Sequence, residues 1–286
     1  MSLEKESPLV SRRRFLAGTA AVVGAVASPI VAQTFLEVPF VPTPQIVVDE
    51  MLRLANVGAS DVVFDLGSGD GRIVISAATK FGARATGVEL DDHLIYQSEE
   101  SAQQAKVTDR VKFLQQDFFK TDFSAASVIT LYLLPGVMKR LRDRMLQLRP
   151  GTRLVAHDFD FDDWRPDVKT TIRKNVFLWV VPAPVQGRWQ IRLDLPGDPF
   201  GFEVEVRQKY QELDGVVKME GPPGGLWETK LEGDRIRFVV VDARDRDNEA
   251  SLYFQGTVSG KTMQGEGTRG VGSRLARFKW QATRAG

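Results

Sequence analysis

The stretch that most constrains the fold runs from Asp61 to Ala78 and reads DVVFDLGSGDGRIVISAA. A short apolar run ends near an aspartate, three glycines follow at every second position, and an apolar segment of helical period comes next. A strand, a glycine turn and a helix in this order are typical of parallel α/β sheets. Ligands bind such sheets beyond the carboxyl ends of the strands, so the sequence predicts a ligand site at this turn.

Strands and amphipathic helices continue to alternate around this turn. Helices are predicted after Thr43, near Arg72 and after Asp91, because threonine and aspartate are common N-caps and Arg72 begins an apolar periodic segment. A fourth helix is predicted in PGVMKRLRDRMLQL. The strands are predicted at 62–66, 84–90, 111–117, 127–134, 153–159 and 175–181. This alternation predicts a parallel sheet covered on both faces for residues 33–186.

Acidic residues stand at or near the ends of the first three predicted strands: Asp65, Glu89 and Asp117. A carboxylate at the end of the second strand can accept hydrogen bonds from a ribose diol, which suits Glu89. Asp117 could accept a hydrogen bond from the exocyclic amine of adenine, and Asp65 could hold a cationic amine. The three positions together favour an adenine nucleoside that carries a positive charge.

The spacing of the glycines separates two cofactor classes. Dinucleotide sites usually show G-x-G-x-x-G, whereas Gly67, Gly69 and Gly71 give G-x-G-x-G between Asp65 and Asp70. Carboxylates beside a pyrophosphate would repel it by about 1 kcal/mol or more for each close pair. The ammonium and sulfonium of S-adenosylmethionine would instead be attracted. Nicotinamide binding and a purely structural glycine turn remain the alternatives.

The motifs DLGSGDGR, VELDD and QQDFF resemble those of class I S-adenosylmethionine-dependent methyltransferases. With VPFVPTPQIVVDEML and HDFDFDDWRPD, the segment 38–168 is similar to the ATP synthase c-subunit lysine methyltransferase family and its bacterial relatives. The resemblance implies a Rossmann-like domain and methyl transfer from S-adenosylmethionine. The residues and the resemblance together give a predicted cofactor-binding set: Asp65, Gly67, Ser68, Gly69, Asp70, Gly71, Glu89, Leu90, Asp117 and Phe118.

The methyl acceptor is less well defined, because VITLYLLP and HDFDFDDW depart from the family pattern on the acceptor side. Tyr132 and Asp158 are the predicted catalytic residues, since an amine must be neutral when it attacks the methyl group. Phe159 and Trp164 could line a channel for an aliphatic side chain. Each of these residues also has a structural interpretation, as packing or as part of a solvated acidic loop, and His157 is predicted to be structural. A protein lysine is favoured over a small amine, and a membrane-associated acceptor is compatible with the pattern.

Composition excludes several kinds of site. The chain has no cysteine and only two histidines, which rules out thiolate metal sites, disulfides and a three-histidine zinc site, and no metal site is predicted. The formal net charge of +1 lacks the basic excess typical of nucleic-acid binders, so a nucleic-acid partner is not expected.

Residues 1–32 resemble a twin-arginine signal peptide. The segment 11–16 reads SRRRFL, and an apolar stretch rich in alanine follows with small residues at its end. These features predict export to the periplasm. An uncleaved leader that anchors the protein in the membrane, or a cytoplasmic protein with a basic N-terminus, are the alternatives.

Residues 187–286 have a different pattern: about eight short segments, in which apolar and polar residues alternate, are separated by turns. This pattern predicts a second domain, an antiparallel all-β barrel or sandwich with a loose resemblance to lipocalin-like modules. It could serve stability alone or dock a substrate or partner. The rival function for the whole chain is an exported, non-catalytic protein that binds a ligand and a partner, and a small-molecule methyltransferase is a further alternative.

Overall fold

The computed structural model describes residues 40–195, 197–244, 250–271 and 274–285, and residues 40–286 form one unit of the chain. The predicted export signal in residues 1–32 therefore lies outside the described residues.

The first part of the chain forms a seven-stranded sheet with the order β3-β2-β1-β4-β5-β7-β6. Strands β1 to β5 run parallel, and β7 is antiparallel to both β5 and β6. The strand order reverses between β1 and β4, which is where ligands bind in sheets of this kind. The elements are α1 (Gln45–Leu54), β1 (Val62–Leu66), α2 (Arg72–Phe81), β2 (Arg84–Glu89), α3 (Asp92–Gln104), β3 (Val111–Gln115), β4 (Val128–Leu131), α4 (Pro135–Met145), β5 (Arg153–His157), β6 (Val168–Ile172) and β7 (Lys174–Val180).

Apolar side chains cover both faces of this sheet, as the alternation of strands and helices predicts. Val63 faces the layer built with α1 and α2, while the adjacent Phe64 faces the layer built with α4. Successive residues of a strand point to opposite faces, so a fully apolar strand must be covered on both sides. The α1 helix buries Met51 and Leu52, and α4 buries Leu141.

Several details of the first sheet differ from the sequence prediction. The last predicted strand, β7, is antiparallel and not parallel, and β3 and β4 end at Gln115 and Leu131, before their predicted ends. Strand β6 was missed because its side chains are mostly exposed and give no apolar pattern. Strand β5 ends at His157 since Asp158 has a φ of 66°, which is outside the extended region. Pro44 rather than Thr43 precedes α1 as its N-cap residue, and the Thr43 hydroxyl hydrogen bonds elsewhere.

The second part of the chain forms one nine-stranded antiparallel sheet with the order β11-β10-β9-β8-β16-β15-β14-β13-β12. The sheet is nearly closed, since the Thr229 hydroxyl of one edge region donates to the Leu213 carbonyl of the other at 3.0 Å. The barrel alternative is therefore closer to the structure than a two-sheet sandwich. The elements are β8 (Gly187–Asp194), β9 (Phe200–Lys209), β10 (Glu212–Lys218), β11 (Gly224–Gly225), β12 (Trp227–Glu232), β13 (Arg235–Val241), β14 (Ser251–Ser259), β15 (Thr262–Val271) and β16 (Arg274–Arg284).

Aromatic side chains fill the interior of the second sheet. Phe238 and Phe254 stack with ring centroids 4.5 Å apart, and Trp280 meets the Phe254 ring edge-on at 5.4 Å. These rings, with Trp189 and Phe202, are all nearly inaccessible to solvent. Buried aromatic rings contribute much of the apolar surface that stabilises a small barrel.

The two sheets touch through the turns of the second. In the turn between β12 and β13, the Gly233 carbonyl accepts from the Ala183 N–H at 2.8 Å. A Cβ atom at Gly233 would lie 3.0 Å from the Cα atom of Gly151, so this close approach requires glycine. The connecting residues Val181 and Val185 are fully buried.

Candidate functional site

The glycine turn after β1 is a run of left-handed backbone conformations. Gly67, Gly69 and Gly71 have φ values of 77°, 53° and 74°, which side-chain-bearing residues rarely adopt. The N–H groups of Gly67 and Ser68 donate to the Val88 carbonyl at 2.8 and 3.0 Å and hold the turn against the end of β2. The turn therefore sits at the carboxyl ends of β1 and β2, where the sequence predicts the ligand.

Space requires Gly71 to lack a side chain, and at Gly69 a side chain would displace the Phe40 ring. A Cβ atom at Gly69 would lie 2.1 Å from Cε2 of Phe40, and one at Gly71 would lie 2.8 Å from the ring of Phe113. Phe40 belongs to the segment ahead of α1 and is 44% exposed. Its ring lies over the turn, a position that the sequence did not assign to it.

Glu89 organises the end of β2. Its Oε2 atom accepts from the Gly69 N–H at 2.9 Å, and its Oε1 atom accepts from the N–H groups of Leu90 and Asp91 at 2.8 and 3.2 Å. A carboxylate can accept about four hydrogen bonds, so this one retains capacity for a ligand hydroxyl. The Asp91 side chain accepts from the His93 and Leu94 amides, which confirms Asp91 as the N-cap of α3.

Asp65 lies beneath the turn and is 2% exposed. Burial raises the pKa of Asp65 to about 7, because a charge is poorly solvated there and Glu89 and Asp70 are negative neighbours. The Thr130 hydroxyl donates to Asp65 Oδ1 at 2.6 Å and opposes part of that rise. At neutral pH both the protonated and the ionised forms of Asp65 are therefore populated.

Asp70 is paired rather than free. Arg72 Nη2 lies 2.5 Å from Asp70 Oδ2, and Arg72 Nε donates to Asp70 Oδ1 at 2.9 Å. Arg72 Nη1 also donates to the Thr43 carbonyl at 2.9 Å and so ties the turn to the segment before α1. The expectation of two unpaired carboxylates beside the glycines is therefore too simple, because the Arg72 charge offsets that of Asp70 and Asp65 is partly protonated.

The remaining predicted cofactor residues lie around the same edge. The Ser68 hydroxyl is buried and has no hydrogen-bond partner within the described residues. Asp117 Oδ1 accepts from the Phe119 N–H at 2.8 Å and leaves its other oxygen 3.9 Å from Lys120 Nζ. Phe118 is half-buried and packs on the α4 side of the sheet.

A turn of glycines and two carboxylates with spare oxygen capacity fit an adenine nucleoside. Glu89 and Asp117 supply the carboxylates. The site is thus compatible with S-adenosylmethionine.

Aromatic rings line the edge beyond β4 and β5. The rings of Tyr132 and His157 have centroids 4.1 Å apart, and Phe159 stacks on Tyr132 at 6.3 Å. His157 is 2% exposed, and its Nδ1 atom lies 3.3 Å from the Thr43 hydroxyl. Its Nε2 atom has no partner in the part of the chain that the structure describes. Burial and the nearby Lys174 lower the pKa of His157, against the pull of Asp158, so the ring is neutral near pH 7.

Asp158, the second predicted catalytic residue, follows His157 directly. Lys174 Nζ donates to its Oδ2 atom at 3.0 Å, and the carboxylate is 18% exposed. The Tyr132 ring thus contacts His157, and Asp158 is the next residue in the chain. The Asp158 carboxylate already has a cationic partner, which the sequence did not indicate.

Trp164 belongs to the core and does not line a channel. It is 0% exposed and packs against Phe161 and Trp179 at centroid distances of 5.4 and 6.2 Å. Its indole N–H donates to the Gln211 side-chain oxygen at 2.8 Å. Of the two predicted channel residues, only Phe159 remains partly accessible.

Several residues of this edge escaped the sequence prediction because their partners are distant in the chain. Their signals were single polar or aromatic residues in otherwise ordinary elements. They are Phe40, Thr43, Arg72, Thr130 and Lys174.

Within the described residues, no helix is long and apolar enough to cross a membrane, and no group of three or more carboxylate or histidine side chains could hold a metal ion.

Comparison with known proteins identifies the segment that carries this edge. Residues 65–168 match the model of the ANTKMT methyltransferase domain. A protein-lysine N-methyltransferase of Saccharolobus islandicus is 43% identical over 151 residues, which cover 50% of this chain and 94% of that protein. The ATP synthase c-subunit lysine N-methyltransferase of Mus musculus is 36% identical over 177 residues, which cover 59% of this chain and 71% of that protein.

A solved structure is similar over the same portion. The crystal structure of an RNA methyltransferase from Salinibacter ruber in complex with S-adenosyl-L-homocysteine is 49% identical, with a TM-score of 0.50. The alignment covers 51% of this chain and 96% of that one. The S-adenosyl-L-homocysteine bound in that structure is the product of methyl transfer from S-adenosylmethionine, the nucleoside with which this edge is compatible.

Proposed function

This chain belongs to the family that carries the ANTKMT methyltransferase domain and is an S-adenosylmethionine-dependent methyltransferase, and we propose that its acceptor is the side-chain amine of a protein lysine. One observation carries the proposal. Lysine methyltransferases align with this chain over 94% and 71% of their own lengths.

We assign the cofactor to the edge formed by β1, β2 and β3. In this proposal Glu89 accepts from the ribose hydroxyls and Asp117 from the adenine amine, while the Gly67 to Gly71 turn receives the amino-acid end. Asp65 supports that end in its ionised form. S-adenosylmethionine supplies an electrophilic methyl group on a sulfonium, and the transfer is a displacement that depends mostly on position and exclusion of water.

The acceptor side must deliver a neutral amine. A lysine ammonium has an ordinary pKa near 10.4, so at neutral pH it must lose a proton before its lone pair can attack. We propose that the Tyr132 hydroxyl orients the amine and that Asp158 attracts the ammonium and takes up its proton. Lys174 Nζ donates to Asp158 Oδ2 at 3.0 Å, so an incoming amine would share this carboxylate with Lys174.

Labelled methyl transfer tests the acceptor class directly. The protein is incubated with methyl-tritiated S-adenosylmethionine and a dialysed membrane extract, and labelled residues are identified by mass spectrometry. Acetylation of the extract with acetic anhydride should abolish labelling, because it blocks lysine amines. The Gly69→Ala variant, whose new Cβ atom would meet Phe40, serves as the inactive control.

Two controls address other acceptors. Label that survives acetylation but disappears after ribonuclease treatment would identify RNA, the acceptor class by which the Salinibacter ruber methyltransferase is described. Label in a small molecule, found only before dialysis, would identify a small-molecule methyltransferase. Absence of label in every fraction would contradict the proposal and favour an exported binding protein.

We also propose export through the twin-arginine pathway, on the basis of the SRRRFL motif in residues 11–16. Residues 1–40 fused to a folded reporter should carry it to the periplasm, and Arg12→Lys with Arg13→Lys should retain it in the cytoplasm. Equal cytoplasmic retention of both fusions would remove this proposal, and membrane attachment of the unmutated fusion would indicate an uncleaved anchor.

A further inference from the structure

We infer that a turn of the second sheet fixes the loop that presents the methyl acceptor, so that Tyr210 and Gln211 are positioning residues for the methyl transfer. The acceptor loop is defined as residues 158–165, which leave β5 on the acceptor side of the site. The clamp turn is defined as residues 208–211, at the junction of β9 and β10. The inference rests on the proposed function, because that proposal assigns the acceptor to this side.

Gln211 makes two hydrogen bonds to the acceptor loop. The Trp164 indole N–H donates to Gln211 Oε1 at 2.8 Å, and Gln211 Nε2 donates to the Arg165 carbonyl at 2.7 Å. One side chain thus satisfies both a donor and an acceptor of the loop. Such a reciprocal pair fixes the orientation of the loop more strictly than apolar contact would.

Tyr210 adds a stacked ring and a third polar contact. Its ring lies over that of Trp164 with centroids 5.5 Å apart and planes 22° apart. Its hydroxyl donates to Asp163 Oδ1 at 2.9 Å. Asp163 is also paired with Lys209 at 3.2 Å and with Arg142 of α4, so the loop is held between α4 and the second sheet.

The clamp turn is itself held in place. Gln208 Nε2 donates to the carbonyls of Ala183 and Tyr210 at 3.0 and 2.7 Å, and its Oε1 atom accepts from the Val185 N–H at 2.7 Å. Tyr210 has a φ of 56°, a conformation that persists only when the surroundings fix it. The turn therefore cannot move without disturbing the connection between the two sheets.

The other end of the acceptor loop, at Asp158 and Phe159, lies on the proposed acceptor side of the site. Phe159 stacks on Tyr132, and Asp158 is the carboxylate assigned to the amine. Trp164, at the clamped end, is also held by β7, since its carbonyl accepts from the Trp179 indole at 2.8 Å. We expect a change at the clamp turn to reach the acceptor side along the backbone of this eight-residue loop, in which Phe161 and Trp164 are buried.

The second sheet is not part of what the Saccharolobus islandicus relative shares. The 151 aligned residues make up 94% of that relative, whereas the two sheets of this chain extend over residues 62–284. The relative is too short to contain both sheets. The clamp turn is therefore an addition to the shared methyltransferase portion, and it acts on acceptor recognition and not on the cofactor edge.

Hydrogen exchange measured by mass spectrometry tests the clamp without any acceptor. In Gln211→Ala, loss of two hydrogen bonds should speed exchange in peptides from residues 158–167 by about tenfold, with residues 62–91 unchanged. Tyr210→Ala should have a similar effect, and Tyr210→Phe, which keeps the stacked ring, should restore most of the protection. Gln281→Ala, on an exposed position of β16, is the matched control and should change neither region.

Binding and kinetics then separate positioning from general stability. Calorimetric affinity for S-adenosylhomocysteine should stay within about twofold in Gln211→Ala, because the cofactor edge does not contact the clamp turn. The half-saturating amount of the methylated extract should rise by about tenfold with a smaller change in maximal rate. Unchanged exchange in residues 158–167 would overturn the inference. So would a rise across all peptides with a parallel loss of cofactor affinity, which would indicate a purely structural role. The exchange result stands even if the acceptor proves not to be lysine.

Discussion

The edge at the carboxyl ends of β1 to β5 has a proposed cofactor side and a proposed acceptor side, and the two are built by different means. On the cofactor side, backbone conformation dominates. Three glycines have left-handed φ values, and the Gly69 N–H donates to the Glu89 carboxylate above the buried Asp65. On the acceptor side, side chains dominate: the rings of Tyr132, His157 and Phe159 and an ion pair between Asp158 and Lys174.

This difference separates what relatives share from what they change. A backbone turn with positive φ values tolerates few substitutions, so a site of this kind suits a ligand common to the whole family. Packed side chains can be exchanged while the sheet is kept, which suits an acceptor that differs from one enzyme to the next. Each of the following predictions tests whether the two sides respond independently.

The largest expected effect concerns the pH dependence of the cofactor side. Burial raises the pKa of Asp65 from 3.8 to about 7, so the folded state holds this proton more tightly than the unfolded state. Its contribution to stability is complete below pH 4 and is lost as the pH rises to about 7. The loss is on the order of 4 kcal/mol at pH 8, since each pKa unit corresponds to 1.36 kcal/mol.

Asp65→Asn, which cannot ionise, should avoid this loss. Urea unfolding of the cofactor-free protein should therefore show that the free energy of unfolding of the variant, relative to that of the wild type, increases between pH 4 and pH 8. Asp109→Asn, at an exposed carboxylate, is the control. Affinity of the wild type for S-adenosylhomocysteine should rise over the same pH range, because the ionised form of Asp65 attracts the ligand ammonium. Parallel pH curves for wild type and Asp65→Asn would show that Asp65 is not the titrating group.

The next effect is steric and also belongs to the cofactor side. Gly69→Ala should weaken binding of S-adenosylhomocysteine about 100-fold, roughly 2.7 kcal/mol, by calorimetry. The new Cβ atom would meet Phe40 at 2.1 Å in a turn with a φ of 53°. Gly260→Ala is the matched control, because Gly260 has a φ of 58° with open space around it. Comparable losses in both variants would point to backbone strain alone and not to the site.

Tyr132→Phe, on the acceptor side, should lower the rate of methyl transfer and leave the cofactor affinity nearly unchanged. Loss of the hydroxyl should slow labelled methyl transfer about tenfold while affinity for S-adenosylhomocysteine stays within about twofold. Tyr96→Phe, at an exposed tyrosine of α3, is the control for removal of a hydroxyl. A fall in cofactor affinity that matches the fall in rate would mean that the two sides are not separable.

The smallest effect is electrostatic. Lys174→Gln removes the partner of Asp158 and should change the free energy of unfolding by less than about 1 kcal/mol, as expected for a partly exposed ion pair. The pKa of His157 should shift upward, since Lys174 is one of the causes that lower it. Imidazole proton signals followed by NMR report this shift, with the signals of His93 as the internal control. A downward shift would contradict the assigned neighbourhood of His157.

The sequence predicted the backbone of the cofactor side well because its signals are local. Three glycines, an apolar strand and an N-cap at Asp91 lie within 30 residues of one another, and each imposes its own backbone conformation. The placement of Glu89 at the end of β2 follows from the length of that strand. Comparison with relatives then established the cofactor, which the charges beside the turn had indicated for only partly correct reasons, since Arg72 neutralises Asp70.

The acceptor side was less predictable because its contacts join distant parts of the chain. Thr43 and His157 are 114 positions apart, and Trp164 and Gln211 are 47 apart. Periodicity within one element cannot reveal such pairs, so Trp164 could be assigned to a channel as easily as to the core. Strand β6 was missed for a related reason, since an exposed edge strand lacks the apolar alternation of a buried one.

A crystal structure of the complex with S-adenosylhomocysteine tests the central claim most directly, because the claim is that one edge presents a cofactor side and an acceptor side to each other. The ribose hydroxyls should lie within hydrogen-bond distance of the Glu89 carboxylate, and the sulfur should face the cluster of Tyr132, His157 and Phe159. A ligand whose sulfur points away from that cluster, or whose ribose lies away from Glu89, would contradict the account.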